Sequence, residues 1–239
     1  MSTAPDAPDA QRLGAFHALA ALSEREIAAV EDATQARSDP PDEVADVDVL
    51  LPEVPAGLGG GGLLDALASR RTWRQAPGEP LALERLAWLL HHGVATGPDG
   101  RRPYPSAGAS YPVQLHLVAR RCTGLAPGTY RYDGSIGGLR ATVLGDPTDA
   151  VGRAFGRDWV RQARAVLVMS ASPEVMTGQH ALRGYRYALL EAGHLAQSLL
   201  LLAAAATLPA CPLGGFADEA LAEVVADEAA GLPLHAIAL

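Results

Sequence analysis

The segment that decides the fold is residues 184–207, GYRYALLEAGHLAQSLLLLAAAAT. Its apolar run is long enough to resemble a membrane span, but Glu191, His194 and Gln197 interrupt it at helical spacing. A helix that is apolar nearly all round is typical of the centre of a large core or of a subunit interface. We therefore predict a buried central helix in a protein that does not span a membrane.

Helices and strands are predicted on both sides of this helix. Helical periodicity covers residues 63–69, 81–92, 150–155 with an extension to 162, and 217–225. Gly93 is predicted to end the second of these helices. Strands are predicted at 113–118, 128–134, 165–170 and 234–239, the first two as neighbours. Without regular βαβ alternation, this order favours an α+β fold with a central mixed or antiparallel sheet flanked by helices.

Composition divides the chain at about residue 58. Residues 1–58 are an extension rich in Pro, Asp, Ala and Glu, and a glycine run then opens the compact domain, residues 59–239. The extension is predicted to be partly helical, because apolar residues around 15–31 share one helical face: Phe16, Leu19, Leu22, Ile27 and Val30. Packing of this face on its own domain is favoured over docking of a partner.

Charge, cysteine content and metal-ligand spacing exclude several classes of protein. The formal charge is −8 and no basic stripe occurs, which argues against nucleic acid as a partner. Cys122 and Cys211 form neither a metal motif nor a disulfide framework, and the N-terminus lacks signal-peptide features, so we expect a cytoplasmic protein. Glu191 and His194 lack a third ligand, and we predict no metal site but hydrogen-bonded core or interface residues.

Two turns of prolines and small residues are candidate ligand contacts, because their backbone amides can approach a flat or anionic ligand. The first lies in RRPYPSAGASYP, residues 101–112, and its candidates are Pro105, Ser106, Ala107 and Gly108. The second lies in CPLGGF, residues 211–216, and its candidates are Pro212, Leu213, Gly214 and Gly215. The alternative for each is an ordinary turn. Ser106 lacks the glycine-flanked elbow of an acyl-transfer serine, so ligand contact is favoured over nucleophilic attack.

Charged and titratable side chains form two further groups. Arg70, Arg71, Thr72 and Arg74 stand at a predicted helix end. Guanidinium forks bind phosphate oxygens, although a solvated helix end that complements the helix dipole is the alternative. A polar run precedes the central helix, and His180 and Tyr185 are its members best suited to proton transfer. The alternative there is a solvated loop.

Five ordered segments together resemble the SagB-type branch of the nitroreductase family. They are residues 70–74, 102–112, 124–132, 184–197 and 212–216, and the resemblance covers about residues 51–239. It implies an FMN-dependent oxidoreductase with an α+β fold. It also implies a homodimer with the flavin at the subunit interface and the central helix as the spine of the dimer.

The resemblance assigns the cofactor contacts. Arg70, Arg71, Thr72 and Arg74 would hold the FMN phosphate and ribityl chain. The turn of Pro105, Ser106, Ala107 and Gly108 would reach the flavin of the other subunit. Leu213, Gly214 and Gly215 would lie by the ring, with a backbone N–H on N5, and Gln197 and Pro212 are further contacts.

The resemblance also implies a reaction, with one departure. Members of this branch oxidise thiazoline or oxazoline rings in peptides, but the Lys-Tyr pair of the azoline oxidases is replaced here by Gln179 and His180. We predict an oxidase or dehydrogenase that desaturates a peptide-derived or carrier-bound substrate in a biosynthetic pathway, with His180 as the base and Tyr185 as a second catalytic residue. An NAD(P)H-dependent nitro or quinone reductase, and a binding partner that has lost the chemistry, are the alternatives.

Overall fold

The computed structural model describes residues 47–54, 57–58, 62–75, 78–227 and 229–239, so the helix predicted around 15–31 lies outside the described residues. Helices α1 to α7 are Leu63–Ser69, Leu83–Val94, Thr148–Phe155, Asp158–Arg161, Pro173–His180, Arg183–Ala205 and Asp218–Val225. Strands β1 to β9 are Val49–Leu50, Leu81–Ala82, Gln114–Ala119, Cys122–Thr123, Gly128–Asp133, Gly138–Leu144, Ala165–Ala171, Cys211–Leu213 and Leu232–Ala238. A short 3₁₀ turn covers Ala107–Ala109.

One antiparallel sheet organises the described residues. Its strand order is β1-β6-β5-β3-β7-β9-β8, while β2 and β4 form a separate parallel pair. Every neighbouring pair in the large sheet is antiparallel. The predicted α+β fold is confirmed, with the antiparallel form of the central sheet. The two strands predicted as neighbours do pair, with His116 of β3 opposite Arg131 of β5.

Helices cover both faces of the sheet. On one face, Leu117 of β3 and Leu167 of β7 pack in a core with residues of α2 and α6. On the other face, Val118 and Val166 belong to a second core with residues of α3 and α7. A strand buried on both faces needs a nearly continuous apolar run, which explains the sequence AVLVMSA of β7. The first core contains residues of α6, the helix that carries Tyr185, Glu191 and Gln197.

The central helix α6 buries one face and exposes another. Leu195 and Leu199 are buried in the core, whereas Leu189 and Leu190 are 41% and 55% exposed. Of the described helices, α6 is the one that is long and apolar enough to cross a membrane. Its packing against the sheet is that of a core helix, as predicted, although the burial covers one face and not the whole circumference.

A tight helical hairpin joins α5 to α6. Gly184 lies so close to α5 that a Cβ placed on it would be 1.7 Å from the carbonyl oxygen of Met176, so no other residue fits this crossing. Ala181 in the connection has φ 46° and ψ −145°, a conformation that L residues rarely adopt. The polar run before the central helix, for which a solvated loop was the alternative, is therefore helical on both sides of a strained connection at Ala181.

Several element boundaries differ from the sequence predictions. Helix α2 continues to Val94, and Gly93 does not end it. A Cβ on Gly93 would stand 2.6 Å from Cδ2 of Leu199, so this glycine permits the close approach of α2 and α6. The long helix considered for 150–162 is divided into α3 and α4 by Gly156, which is left-handed.

Candidate functional site

The structure brings the arginine segment and the β8 turn together. The backbone N–H of Trp73 donates to the carbonyl oxygen of Ala210, at 3.1 Å, immediately before β8. Burial raises the pKa of Cys211, and the nearby charges of Arg74 and Arg157 oppose that rise. The end of α1 and the start of β8 therefore form one side of a single site.

The backbone after β8 is open. A Cβ on Gly214 would meet nothing within 4 Å, and one on Gly215 would meet only Nη2 of Arg157, at 3.7 Å. Within the described residues, the amides of Gly214 and Gly215 donate no hydrogen bond. Pro212 is half-buried, and the side chain of Leu213 is buried in the second core, so Leu213 presents only its backbone to this side.

Arg157 is a cation of this site that the sequence did not indicate. It precedes α4 and follows the left-handed Gly156, its guanidinium lies against Gly215, and its charge, like that of Arg74, acts on Cys211. In the part of the chain that the structure describes, no carboxylate pairs with Arg70, Arg74 or Arg157. The contact joins segments far apart in sequence, so no local pattern could have revealed it.

The other members of the arginine segment take different roles. Arg71 turns back on α1 and donates to the carbonyl oxygens of Ala68 and Arg70, at 2.8 and 2.9 Å. Arg71 therefore complements the dipole at the end of α1, which was the alternative to a phosphate contact in the sequence analysis. Arg70 and Thr72 are half-buried, and Arg74 is exposed.

The turn at 105–108 is fastened to the central helix. The hydroxyl of Ser106 donates to Oε2 of Glu191 and accepts the N–H of Tyr111, at 2.9 Å. Oε1 of Glu191 accepts the N–H of Val113, at 3.2 Å. Burial raises the pKa of Glu191 to about 7, opposed by the hydrogen bonds from Ser106 and Val113 and by the charge of Arg102. The prediction that Glu191 is a hydrogen-bonded core residue is confirmed.

Three residues at the end of this turn and just after it have left-handed backbone conformations. Gly108, Ala109 and Tyr111 have φ of 62°, 54° and 46°. For a residue with a Cβ this conformation costs roughly 1–2 kcal/mol, so Ala109 and Tyr111 need contacts that hold them. Arg102 supplies some of them: its backbone N–H donates to Oη of Tyr111, at 3.0 Å, and its guanidinium lies over the same ring.

The candidate base His180 lies at the end of α5. Both of its ring nitrogens are shielded from solvent and have no hydrogen-bond partner among the described residues. The ring packs edge-on against Tyr187, with the centroids 5.0 Å apart, and Tyr187 also lies under the guanidinium of Arg183. Tyr185 packs partly buried at the edge of the first core. The structure therefore pairs His180 with Tyr187, which the sequence reading did not single out.

The remaining candidates lie on the outer face of α6. Gln197 and His194 are exposed, so His194 does not share the buried environment of Glu191. Within the described ranges, no group of three or more His, Cys, Asp or Glu residues could hold a metal ion.

Comparison with known proteins identifies the family. The nitroreductase family model matches residues 67–238. The chain belongs to the nitroreductase family. A relative from Methanocaldococcus jannaschii, MJ1384, itself named as a nitroreductase, is 31% identical over 170 residues, which are 68% of this chain and 83% of the relative. As a member of the nitroreductase family, the chain is an oxidoreductase, as predicted.

Solved structures share the nitroreductase fold. A Ralstonia eutropha protein named as a nitroreductase has a TM-score of 0.68 and 23% identity, over 84% of this chain and 92% of its own. A chain of the E. coli microcin synthetase McbBCD complex with truncated pro-MccB17 bound has a TM-score of 0.60 and 21% identity, over 95% and 96%. A Desulfovibrio desulfuricans protein named as a nitroreductase, in complex with FMN, has a TM-score of 0.50 and 21% identity, over 74% and 84%.

Proposed function

We propose that this chain is an FMN-dependent oxidoreductase of the SagB-type branch that desaturates a peptide-derived or carrier-bound substrate in a biosynthetic pathway. The observation that carries the proposal is the hydrogen bond from Trp73 to Ala210, because it joins the arginine segment to the start of β8, the strand that leads into the open glycines. A flat ligand that bears a phosphate needs both features: cations for the phosphate, and backbone amides that a ring can approach.

The residues at the site fit FMN. Arg74 and Arg157 have no carboxylate partner among the described residues, both act on Cys211 of β8, and Arg157 also lies against Gly215 in the open turn. Arg70 and Thr72 would complete the phosphate contacts, together with Arg71 if it releases the end of α1. Pro212, Leu213 and Gln197 remain proposed contacts, the second through its backbone. FMN, when bound, supplies a two-electron acceptor.

An exposed apolar surface supports the proposed homodimer. Leu63, Leu64 and Leu67 of α1 are exposed beside α6, which exposes Leu189 and Leu190. Contiguous exposed apolar residues on a folded chain mark a surface that another chain covers. In a dimer formed through this surface, Pro105, Ser106, Ala107 and Gly108 of one subunit would contact the flavin of the other. We propose that this dimer works in the cytoplasm.

His180 would take the proton. Desaturation of a C–N or C–C bond removes a proton as well as a hydride, and a neutral imidazole with an uncommitted nitrogen can accept it. Neither ring nitrogen of His180 is hydrogen-bonded to the described protein, and Tyr187 fixes the plane of the ring. Tyr185 remains a proposed second catalytic residue. A ring nitrogen of His180 without a protein partner is therefore free to accept a proton from a substrate.

Two further observations bear on the substrate. The microcin synthetase neighbour was solved with truncated pro-MccB17 bound, and its match covers 95% of this chain, which favours a peptide-derived substrate. The M. jannaschii relative is named as a nitroreductase, which favours an NAD(P)H-dependent nitro or quinone reductase as the second candidate. The two functions differ in the direction of electron flow.

One experiment separates these functions. The protein is purified and its visible spectrum recorded, then an azoline-containing peptide is added under oxygen and NADH is added anaerobically to a second sample. We expect an oxidised flavin spectrum, azole formation detected by mass spectrometry as a loss of two hydrogens, and slow bleaching by NADH. Rapid bleaching by NADH without peptide oxidation would favour the reductase, and a colourless protein that binds no added FMN would contradict both.

The proposed base is tested in the same assay. His180→Ala is expected to bind FMN normally and to lose peptide oxidation by at least about a hundredfold, the range in which general bases contribute. His91→Ala, an exposed histidine of α2 outside the proposed dimer surface, is the matched control and should keep the wild-type rate. Unchanged turnover in His180→Ala would remove His180 from the mechanism.

A further inference from the structure

The carboxyl group of Glu191 is the described buried acid that the proposed reaction does not use. It is 2% exposed, and both of its oxygens accept hydrogen bonds from the segment 106–113. We propose that Glu191 is a positioning residue for the cofactor contact made by residues 105–108, and that its charge state decides whether the Ser106 hydroxyl can donate to the ligand. This inference rests on the proposed function, since it takes that turn to touch the flavin.

The two oxygens of Glu191 hold both ends of the strained turn. One accepts the hydroxyl proton of Ser106, at its beginning, and the other accepts the amide proton of Val113, just after its end. Val113 is held from the other side as well, because its carbonyl oxygen accepts from Nη1 of Arg102, at 3.3 Å. Left-handed Ala109 and Tyr111 lie between these two points, so the carboxylate stabilises a shape that the chain alone disfavours.

The Ser106 hydroxyl has one proton and two acceptor positions. Tyr111 N–H occupies one acceptor position. When Glu191 is ionised, its carboxylate accepts the hydrogen bond from the Ser106 hydroxyl. Ser106 can then only accept a hydrogen bond from a ligand. When Glu191 is protonated, the carboxyl O–H can donate to the serine oxygen, and the hydroxyl proton is free for the ligand. Protonation of Glu191 therefore turns Ser106 from an acceptor into a donor without moving the turn.

The groups around Glu191 allow this change near neutral pH. Among the described residues, the charged or titratable groups that act on Glu191 are Arg102 and Tyr104, both just before the segment that the carboxylate holds. Tyr104 is buried and accepts from Arg102 Nη1 at 2.9 Å, and the Tyr111 ring packs edge-on against it. On α6 itself, His194 is exposed. Burial raises the pKa of Glu191 to about 7, so both charge states are accessible in the cell.

The test uses one neutralising variant and one deletion. Glu191→Gln keeps the shape of the side chain and an acceptor for Val113 but cannot ionise, whereas Glu191→Ala removes the contacts. Glu219→Gln, an exposed glutamate of α7, is the matched control. Binding of FMN to the flavin-free proteins is followed by quenching of flavin fluorescence on both sides of neutral pH. Exchange of the Tyr111 and Val113 amides is followed in the absence of flavin.

We expect the FMN dissociation constant of the wild type and of Glu219→Gln to change about tenfold more across neutral pH than that of Glu191→Gln, which keeps only the change due to the FMN phosphate itself. Glu191→Ala should exchange the two amides at least about tenfold faster than the wild type. A Glu191→Gln variant that keeps the wild-type pH profile would overturn the inference. So would Glu191→Ala with wild-type amide exchange. If Glu191→Ala does not fold, the Glu191→Gln profile alone decides.

The two proposals fail in different ways. If the wild-type protein binds no FMN at any pH, the proposed function fails, and with it the assignment of Ser106 as a flavin contact. Amide exchange in the flavin-free protein still measures whether Glu191 holds the turn. If the wild type binds FMN and Glu191→Gln behaves like it, only the present inference fails.

Discussion

Single residues at the site owe their properties to partners far along the chain. Ser106 and Glu191 are joined by a hydrogen bond although 85 positions separate them, and Arg157 lies against Gly215 although 58 positions (157 to 215) separate those two. Burial of a carboxyl group disfavours its charged form, and hydrogen bonds from neighbouring donors recover only part of the cost. The pKa of Glu191 is therefore set by its burial and by individual partners that are distant in sequence.

The pH dependence of stability should report on Glu191. Because the pKa of Glu191 is about 7 in the folded protein and 4.5 as its ordinary value, the folded state holds this proton more tightly than the unfolded state. The free energy of unfolding contributed by this group falls as pH rises from 4.5 to 7, by up to about 3 kcal/mol. Burial lowers the pKa of His116 to about 4, which contributes an opposite rise over part of this range in every variant. The decrease is therefore measured by urea unfolding as a difference from Glu191→Gln, in the wild type and in Glu219→Gln. Glu191→Gln should lack it, and an identical slope in that variant would contradict the assignment.

Arg157 should contribute to flavin affinity. A charge-assisted hydrogen bond is worth about 1.5–3 kcal/mol, so Arg157→Ala is expected to weaken FMN binding roughly ten- to a hundredfold. The side chain is exposed, and the melting temperature of the flavin-free protein should stay the same. Arg153→Ala, on the exposed face of α3, serves as the control, and both are measured by equilibrium dialysis. If the two variants bind FMN with equal affinity, Arg157 does not contact the cofactor.

The sequence predicted which residue types form the site but not how they are joined. The arginine segment and the glycines at 214 and 215 were recognised because phosphate and ring contacts require those residue types. The contact of Arg157 depends on a turn between two helices, and the pairing of His180 with Tyr187 depends on the α5–α6 hairpin. Both are tertiary contacts without a local signature.

Among the elements, the α5–α6 hairpin is the part most tightly defined by sterics. Its connection includes the strained Ala181, and the first turn of α6 crosses α5 at Gly184. The hairpin fixes the position of His180, since that residue ends α5. Any change that separates the two helices therefore moves the proposed base.

Gly184→Ala should destabilise the hairpin strongly. The added Cβ would lie 1.7 Å from the Met176 carbonyl oxygen, so the helices must move apart. We expect a loss of more than about 3 kcal/mol in the free energy of unfolding. Gly178→Ala is the matched control, because a Cβ at Gly178 of α5 meets nothing within 4 Å and alanine favours the helix by up to about 1 kcal/mol. Chemical denaturation that finds the two variants equally stable would contradict this crossing.

Glycine also explains where sequence reading failed at this scale. Gly93 looked like a helix end, but it lies inside α2 because the side chain of Leu199 occupies the space a Cβ would need. A helix-ending glycine and a glycine at a helix crossing have the same local sequence pattern. Strand β6 was not predicted, although the neighbouring β5 was, because GLRATVL has little apolar alternation.

At the scale of the whole molecule, the described residues leave an apolar surface of α1 and α6 exposed. Leu64 is 80% exposed and Leu190 is 55% exposed, on helices that pack against each other. The antiparallel sheet and its two helical layers were predictable from periodicity and family resemblance. The homodimer stays a proposal from the resemblance, since one chain shows the surface but not what covers it.

If the proposed homodimer forms through this surface, Leu190→Glu should separate its subunits and release the proposed flavin. A charge in the middle of an apolar interface costs several kcal/mol, and the turn at 105–108 would no longer reach the partner's cofactor. Light scattering after size exclusion should give a monomer without flavin absorbance. Leu144→Glu is the control, because Leu144 is 66% exposed on β6, outside the α1 and α6 surface, and should remain a yellow dimer. A flavin-containing dimer of Leu190→Glu would place the interface elsewhere.

Strand β1 has a consequence for how the protein can be shortened. Val49 and Leu50 pair with β6 and close one edge of the sheet, while Val47 fills the space above Gly138, where a Cβ would be 2.8 Å from it. A fragment that began at residue 59, the proposed start of the compact domain, would leave the β6 backbone bare. Bare strand edges recruit other chains and lead to aggregation. A recombinant fragment should therefore begin at or before residue 47, so that β1 and Val47 still cover β6.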